Sequence, residues 1–191
     1  MRRYTYGLFA LFCLLSTSAY SQFGLYVHGV GTKSSWQDEK FSYGVGAAAK
    51  VQLGKVAIGA AAKYLTMPSL SSTQSSFQQR NTVVPLTGLI EYSFTRGVIR
   101  PYLGVEAGKY QIKSRITSQN ERELTHGSDR FGVAPKLGIV VSLIGIGVFA
   151  EGSYHRIMGS DQEVISPGST VVWVNPNAFW TVNIGLKFGL L

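Results

Sequence analysis

From Phe41 to Leu53 the larger apolar residues fall on one parity and the small or polar ones on the other. Odd positions read Phe41, Tyr43, Val45, Ala47, Ala49, Val51 and Leu53, while even positions read Ser42, Gly44, Gly46, Ala48, Lys50 and Gln52. Successive side chains of a strand point to opposite faces, so a period of two sustained over this run defines an extended strand with one apolar face.

The pattern recurs along the chain. After a turn at Gly54 and Lys55, a second run sets Val56, Ile58, Ala60, Ala62 and Tyr64 against Ala57, Gly59, Ala61 and Lys63, which makes the two runs a hairpin. Further runs occupy Val83 to Phe94, Ile99 to Ile112, Phe131 to Leu143, Ile146 to Arg156 and Phe179 to Leu190. Gln22 to Val30 supplies the first and least regular strand, whose faces stay unassigned. Val133 to Ala150 is apolar enough to be weighed as a membrane helix, but Pro135, Lys136, Gly138, Gly145 and Gly147 interrupt it and its parity changes at the turn. It reads as a hairpin.

The connections alternate in length. Short ones fall at Gly54 to Lys55, Thr95 to Val98 and Ser142 to Gly145, and long ones at 32–40, 68–81, 114–129 and 157–178. Short turns alternating with long loops are the signature of outer-membrane barrels, and about ten residues at ~3.3 Å each, tilted ~40°, rise about 25 Å, the height of the apolar band. The expected fold is all-β: an eight-stranded antiparallel up-and-down transmembrane β-barrel.

A soluble barrel would also alternate, so the second face decides. It should be rich in Lys, Glu, Ser and Thr if it met water; here it is mainly Gly and Ala, with about one charge per strand: Lys50, Lys63, Glu91, Glu106, Lys136, Glu151 and Lys187. Eight strands enclose little more than their own side chains. Buried charges are tolerated only when paired, so these residues are expected to form an ion network that plugs the lumen. On the apolar face, Phe41, Tyr43, Tyr64, Phe131, Tyr154 and Trp180 lie toward the long loops and Tyr92, Phe94 and Phe188 toward the short turns. Clustering at both strand ends predicts two aromatic girdles at the headgroup levels.

The first residues read as a secretory signal. Arg2 and Arg3 precede an apolar run from Gly7 to Leu15 that is too short for a spanning helix, then small and polar residues to Ser21. The expected division is a signal peptide at 1–21, with Ala19 as the alternative cleavage position, and a barrel domain at 22–191. The single cysteine, Cys13, lies within that signal, which leaves no disulfide or cysteine metal site in the remainder. Without Arg2 and Arg3, 18 − 2 = 16 basic residues stand against 10 acidic ones. In an exported barrel that surplus of about +6 points to anionic lipid headgroups rather than nucleic acid.

Arg100-Pro101-Tyr102-Leu103-Gly104-Val105-Glu106-Ala107-Gly108 resembles the Pro-Tyr-x-Gly-x-x-x-Gly strand of the small OmpA/OmpX-like outer-membrane barrels, the porin-family β-barrel domains, and Phe179 to Leu190 is similar to their closing strand. The resemblance implies a bacterial outer-membrane location, and an even strand count leaves both termini periplasmic. It also implies delivery by the outer-membrane assembly machinery and contact with outer-membrane lipid and lipopolysaccharide.

Glu151, Ser153 and His155 share one face of the seventh strand. Lipid A deacylase barrels are similar in carrying His and Ser two apart, but here the order is reversed, and neighbours at i and i+2 lie about 6.6 Å apart, too far for a nucleophile and its base. Gly29-Val30-Gly31, Gly44-Val45-Gly46 and Gly145-Ile146-Gly147 do not open helices, so they are not phosphate loops. His28 and His155 have no carboxylates at metal-ligand spacing. No catalytic, cofactor-binding or metal residue is assigned. Three functions stay in view: a non-enzymatic barrel acting through its loops on a cell-surface or host ligand or supporting the membrane, a narrow solute channel, and a lipid-modifying enzyme.

Overall fold

The computed structural model describes residues 21–34, 41–71, 78–117, 123–143, 145–159, 162–166, 169–173 and 177–190. Residues 1–20, and with them nearly all of the expected signal segment, lie outside the described residues. Among the described residues every regular element is a strand.

Eight strands close a barrel: β1 (Ser21–Ser34), β2 (Phe41–Leu53), β3 (Val56–Ser71), β4 (Gln78–Ser93), β5 (Ile99–Thr117), β6 (Glu123–Leu143), β7 (Ile146–Ile157) and β10 (Ala178–Leu190). The order β1-β10-β7-β6-β5-β4-β3-β2 is antiparallel throughout, and β1 closes on β10 with Phe23 opposite Leu190 and Ser34 opposite Phe179. Closure leaves no sheet edge, so the backbone groups of the ladder need no water. Glycines at positive φ, Gly54 (65°) and Gly145 (80°), make the tight turns after β2 and before β7. The segment weighed as a helix is the end of β6, a turn and the start of β7.

Proline interrupts the ladder where its missing N–H requires. Opposite Pro85 the β3–β4 register skips Lys63 and Tyr64, and at Pro135 the β6–β7 register skips from Val133↔Arg156 to Lys136↔Ser153.

Parity separates the faces as alternation requires. The outer surface carries a continuous set of exposed apolar residues, among them Val27, Val45, Ile58, Ile90, Leu103, Ile139, Val148 and Ile184. An apolar band round a closed barrel is far larger than any patch a soluble monomer exposes. On β1, whose faces the sequence leaves open, Phe23, Leu25 and Val27 point outward and Tyr26, His28 and Val30 inward.

The long connections differ from expectation. Of 32–40, residues 32–34 belong to β1; of 68–81, residues 68–71 and 78–81 are strand; of 114–129, residues 114–117 and 123–129 are strand. Within 157–178 a separate hairpin forms from β8 (Gln162–Ser166) and β9 (Ser169–Trp173). Where both faces of a strand meet water alternation fades while backbone pairing continues, with a register shift between Met67 and Leu70 on β3.

Candidate functional site

The lumen is the most densely organised chemistry in the molecule. Lys136 on β6 reaches all three central carboxylates: Glu91 Oε1 at 2.6 Å, Glu106 Oε1 at 3.0 Å and Glu151 Oε2 at 3.2 Å. Lys50 holds Glu91 at 2.6 Å, and Lys63 holds Glu106 Oε2 at 3.1 Å. Every member is buried, Glu106 to 1% exposure. Three ammonium groups therefore meet three carboxylates, a neutral set in a region where an unpaired charge would be costly.

Neutral donors fill the remaining lone pairs. Thr87 donates to Glu106 Oε2 at 3.2 Å, Tyr102 donates its hydroxyl to Glu151 Oε2 at 2.8 Å, and Asn183 and Ser153 donate to Glu151 Oε1 at 2.8 and 3.4 Å. Tyr26, Tyr102 and Phe149 pack round Lys50, whose Nζ lies 4.0 Å from the Tyr26 ring centroid. Such a cation over an aromatic face gains from the ring quadrupole.

Lys187 stands apart from this network. Its Nζ lies 3.5 Å from Ser142 Oγ, and among the described residues no carboxylate reaches it. The expected seven-member network is thus a six-member one, because Lys187 sits at the turn-end mouth, a full layer below Glu151.

The sequence reading also missed much of what fills the lumen. Between the ion network and the loop end lies an apolar layer that includes Val30, Leu65, Met67, Val83, Ile112 and Phe179. Glycine makes room less for lysine stems than for rings. A Cβ at Gly138 would strike the Tyr102 ring at 2.5 Å, one at Gly132 the Tyr110 ring at 2.6 Å, and one at Gly46 the His28 ring. The signal was present as tyrosines in phase with the charged face and facing glycine on a neighbouring strand.

The triplet on β7 is inert in geometry. The His155 ring is fully buried, stacked on Phe179 at 4.6 Å, and bonded to the Tyr110 hydroxyl at 2.8 Å and Thr181 Oγ1 at 3.2 Å. Ser153 is turned to Glu151, not to His155. Among the described residues no group of three or more His, Asp and Glu converges as a metal site would need.

Outside, all nine girdle residues point away from the lumen. Tyr154 and Trp180 pair across β7 and β10 with ring centroids 4.7 Å apart, and Tyr92 and Phe94 meet edge to face at 5.8 Å at the other end. Tyr154 is half-buried and Trp180 is exposed.

A closed, antiparallel, eight-stranded barrel with an apolar exterior and a charged interior is the fold of the small bacterial outer-membrane barrels of OmpA/OmpX type. The chain is similar in structure to a major outer membrane protein of Thermus thermophilus, at 9% identity and a TM-score of 0.60 over 87% of this chain and 99% of that one. It is also similar to Ail, the attachment invasion locus protein of Yersinia pestis, at 9% identity and 0.57 over 89% and 97%. Neisserial surface protein A gives 13% identity and 0.53 over 88% and 96%. No protein-family model matches the sequence, and no curated relative matches it.

Proposed function

We propose that this chain is an integral outer-membrane barrel with both termini in the periplasm, which neither conducts nor catalyses and acts at the cell surface through the sheet that β3 to β6 carry beyond the lipid. The observation that carries this reading is the length of β5 and β6. They stay paired from Lys109↔Phe131, at the level of the loop-side girdle, to Thr117↔Glu123. Eight further residues at ~3.3 Å, tilted ~40°, lift that tip about 20 Å above the headgroups. Structural support of the membrane would not need such a projection.

Its outer face is basic: Lys109, Lys113 and Arg115 are exposed at alternate outward positions, with Lys109 joined to Asp129 at 2.6 Å. The ligand chemistry that fits is a phosphate- or sulfate-bearing saccharide, lipopolysaccharide above all, since arginine and lysine hold such oxyanions through charge-assisted hydrogen bonds. Ail, which shares the fold, has been crystallised with the heparin analogue sucrose octasulfate. The plugged lumen supports the absence of conduction, and the buried, mutually bonded Ser153 and His155 support the absence of hydrolysis.

Binding of lipopolysaccharide and of heparin to the protein in zwitterionic nanodiscs tests the reading. The double variant Lys113→Glu, Arg115→Glu should lose affinity for both at constant ionic strength. Undiminished binding would overturn the surface assignment, and steady porin-sized conductance in planar bilayers would put the channel reading first.

A further inference from the structure

After three lysines have paired with three glutamates, two inward cations remain at the turn end of the barrel, Arg100 on β5 and Lys187 on β10. Both are aimed at one neutral acceptor. Arg100 Nη2 donates to Ser142 Oγ at 3.3 Å and Lys187 Nζ approaches the same oxygen at 3.5 Å. Among the described residues the cations near Lys187 are Arg100 and Lys50, and Lys50 is already committed to Glu91. Arg100 Nε is buried and has no hydrogen-bond partner among the described residues. Two like charges converging on a single hydroxyl repel each other, and a serine oxygen neutralises neither.

The backbone beside them is kept free of side chains by glycine. On three adjacent strands the inward positions at this end are glycine: Gly24 on β1, Gly189 on β10 and Gly147 on β7. A Cβ on Gly147 would strike Ser142 Oγ at 2.6 Å, and one on Gly24 would touch Lys187 Cε at 3.5 Å. Side chains at Gly147 and Gly24 would press on Ser142 and on the stem of Lys187.

We propose that the turn-end mouth formed by Arg100, Ser142 and Lys187 is an oxyanion-binding subsite for a phosphate group. A phosphate there would take a guanidinium and an ammonium as charge-assisted donors and the Ser142 hydroxyl hydrogen as a third, and it would remove the repulsion between the cations. Under the orientation proposed above the site opens to the periplasm. Its phosphate then comes either from solution or from the headgroup of an anionic inner-leaflet phospholipid, whose phosphate no choline ammonium neutralises.

The full chain, refolded in zwitterionic detergent, is melted at constant ionic strength while inorganic phosphate replaces chloride. In parallel it is reconstituted in phosphatidylcholine vesicles with and without phosphatidylglycerol. Folding of each variant is verified by its gel mobility before and after boiling. A saturable rise in melting temperature with inorganic phosphate supports a soluble source, and a rise only with phosphatidylglycerol supports the headgroup. Lys187→Gln and Arg100→Gln should each raise the half-saturating concentration about tenfold, the worth of one charge-assisted contact, while Lys187→Arg should bind like the wild type. Without phosphate, Lys187→Gln should melt no lower than the wild type because it relieves repulsion, whereas a merely structural lysine would lower the melt. No saturable response to either phosphate, or equal responses in wild type and both Gln variants, would overturn the site.

Discussion

Glu106→Gln isolates the charge balance of the lumen, because it keeps the volume of the side chain and removes only its negative charge. Glu106 accepts from Lys63 at 3.1 Å, Lys136 at 3.0 Å and Thr87 at 3.2 Å. Lys136 retains Glu91 and Glu151, so its loss is partial. Lys63 loses the only carboxylate paired with it among the described residues. A buried charge left unpaired in this way costs about 3–5 kcal/mol. By the same reasoning Glu151→Gln is milder, at roughly 1–3 kcal/mol, because Lys136 keeps two carboxylates and no lysine is stranded. Urea titration of the lipid-reconstituted protein, with the folded fraction read from gel mobility and tryptophan fluorescence, gives both values. Adding Lys63→Met to Glu106→Gln restores neutrality and should recover at least about half of the loss, since a paired ion and an apolar group of similar volume are often energetically close. A loss below about 1 kcal/mol for Glu106→Gln, or a double variant no more stable than the single one, would refute the idea that charge pairing governs the interior.

Unheated protein in detergent should run faster on a gel than boiled protein, because a closed sheet has no edge from which to unravel; identical mobility of samples with native circular dichroism would count against closure. Val45→Arg, on the lipid face at 63% exposure, should cost ~2–4 kcal/mol in the same urea assay, while the inward Ala48→Ser should be mild; equal costs would sink the assignment of faces. Gly138→Ala places a Cβ 2.5 Å from the Tyr102 ring and should cost ~1–3 kcal/mol by overpacking. It should also weaken the Tyr102–Glu151 bond, visible as a blue-shifted tyrosine absorbance; an unchanged midpoint and spectrum would show that the ring has room to move.

The fold was legible because the membrane enforces it twice over. In a membrane barrel, lipid favours apolar residues outward, as at Val45, Ala47 and Ala49, and around the ion network the narrow lumen favours small or paired ones inward, as at Gly46, Ala48 and Lys50. Where neither constraint acts, the pattern is silent. Residues 114–117 and 123–129 pair as strands with no alternation to announce them, because above the headgroups the backbone ladder is the only thing that still requires order. The polarity of Ser114 and Arg115 therefore suggests a loop although both are paired within a sheet.

The interior was legible in its parts and not in its layers. Parity on each strand identified six of the network residues, yet it carries no information on depth, so Lys187 looked equivalent to Lys50 and Lys136. Depth is set by register, and register places Lys187 opposite Tyr26 and Gly147, near the turns, whereas Lys136 faces Gly104 and Ser153. The same limit concealed Arg100, whose inward parity was plain from Tyr102 and Glu106 but whose position at the mouth, beside Ser142, depends on the pairing of β5 with β6. A count of inward charges without register gives four lysines against three glutamates, a near balance. With register, the count separates into a neutral six-member core and a cationic pair at one end: the core must be paired to fold, while the pair, Lys187 buried and Arg100 half-buried, carries the surplus charge on which the proposed phosphate site rests.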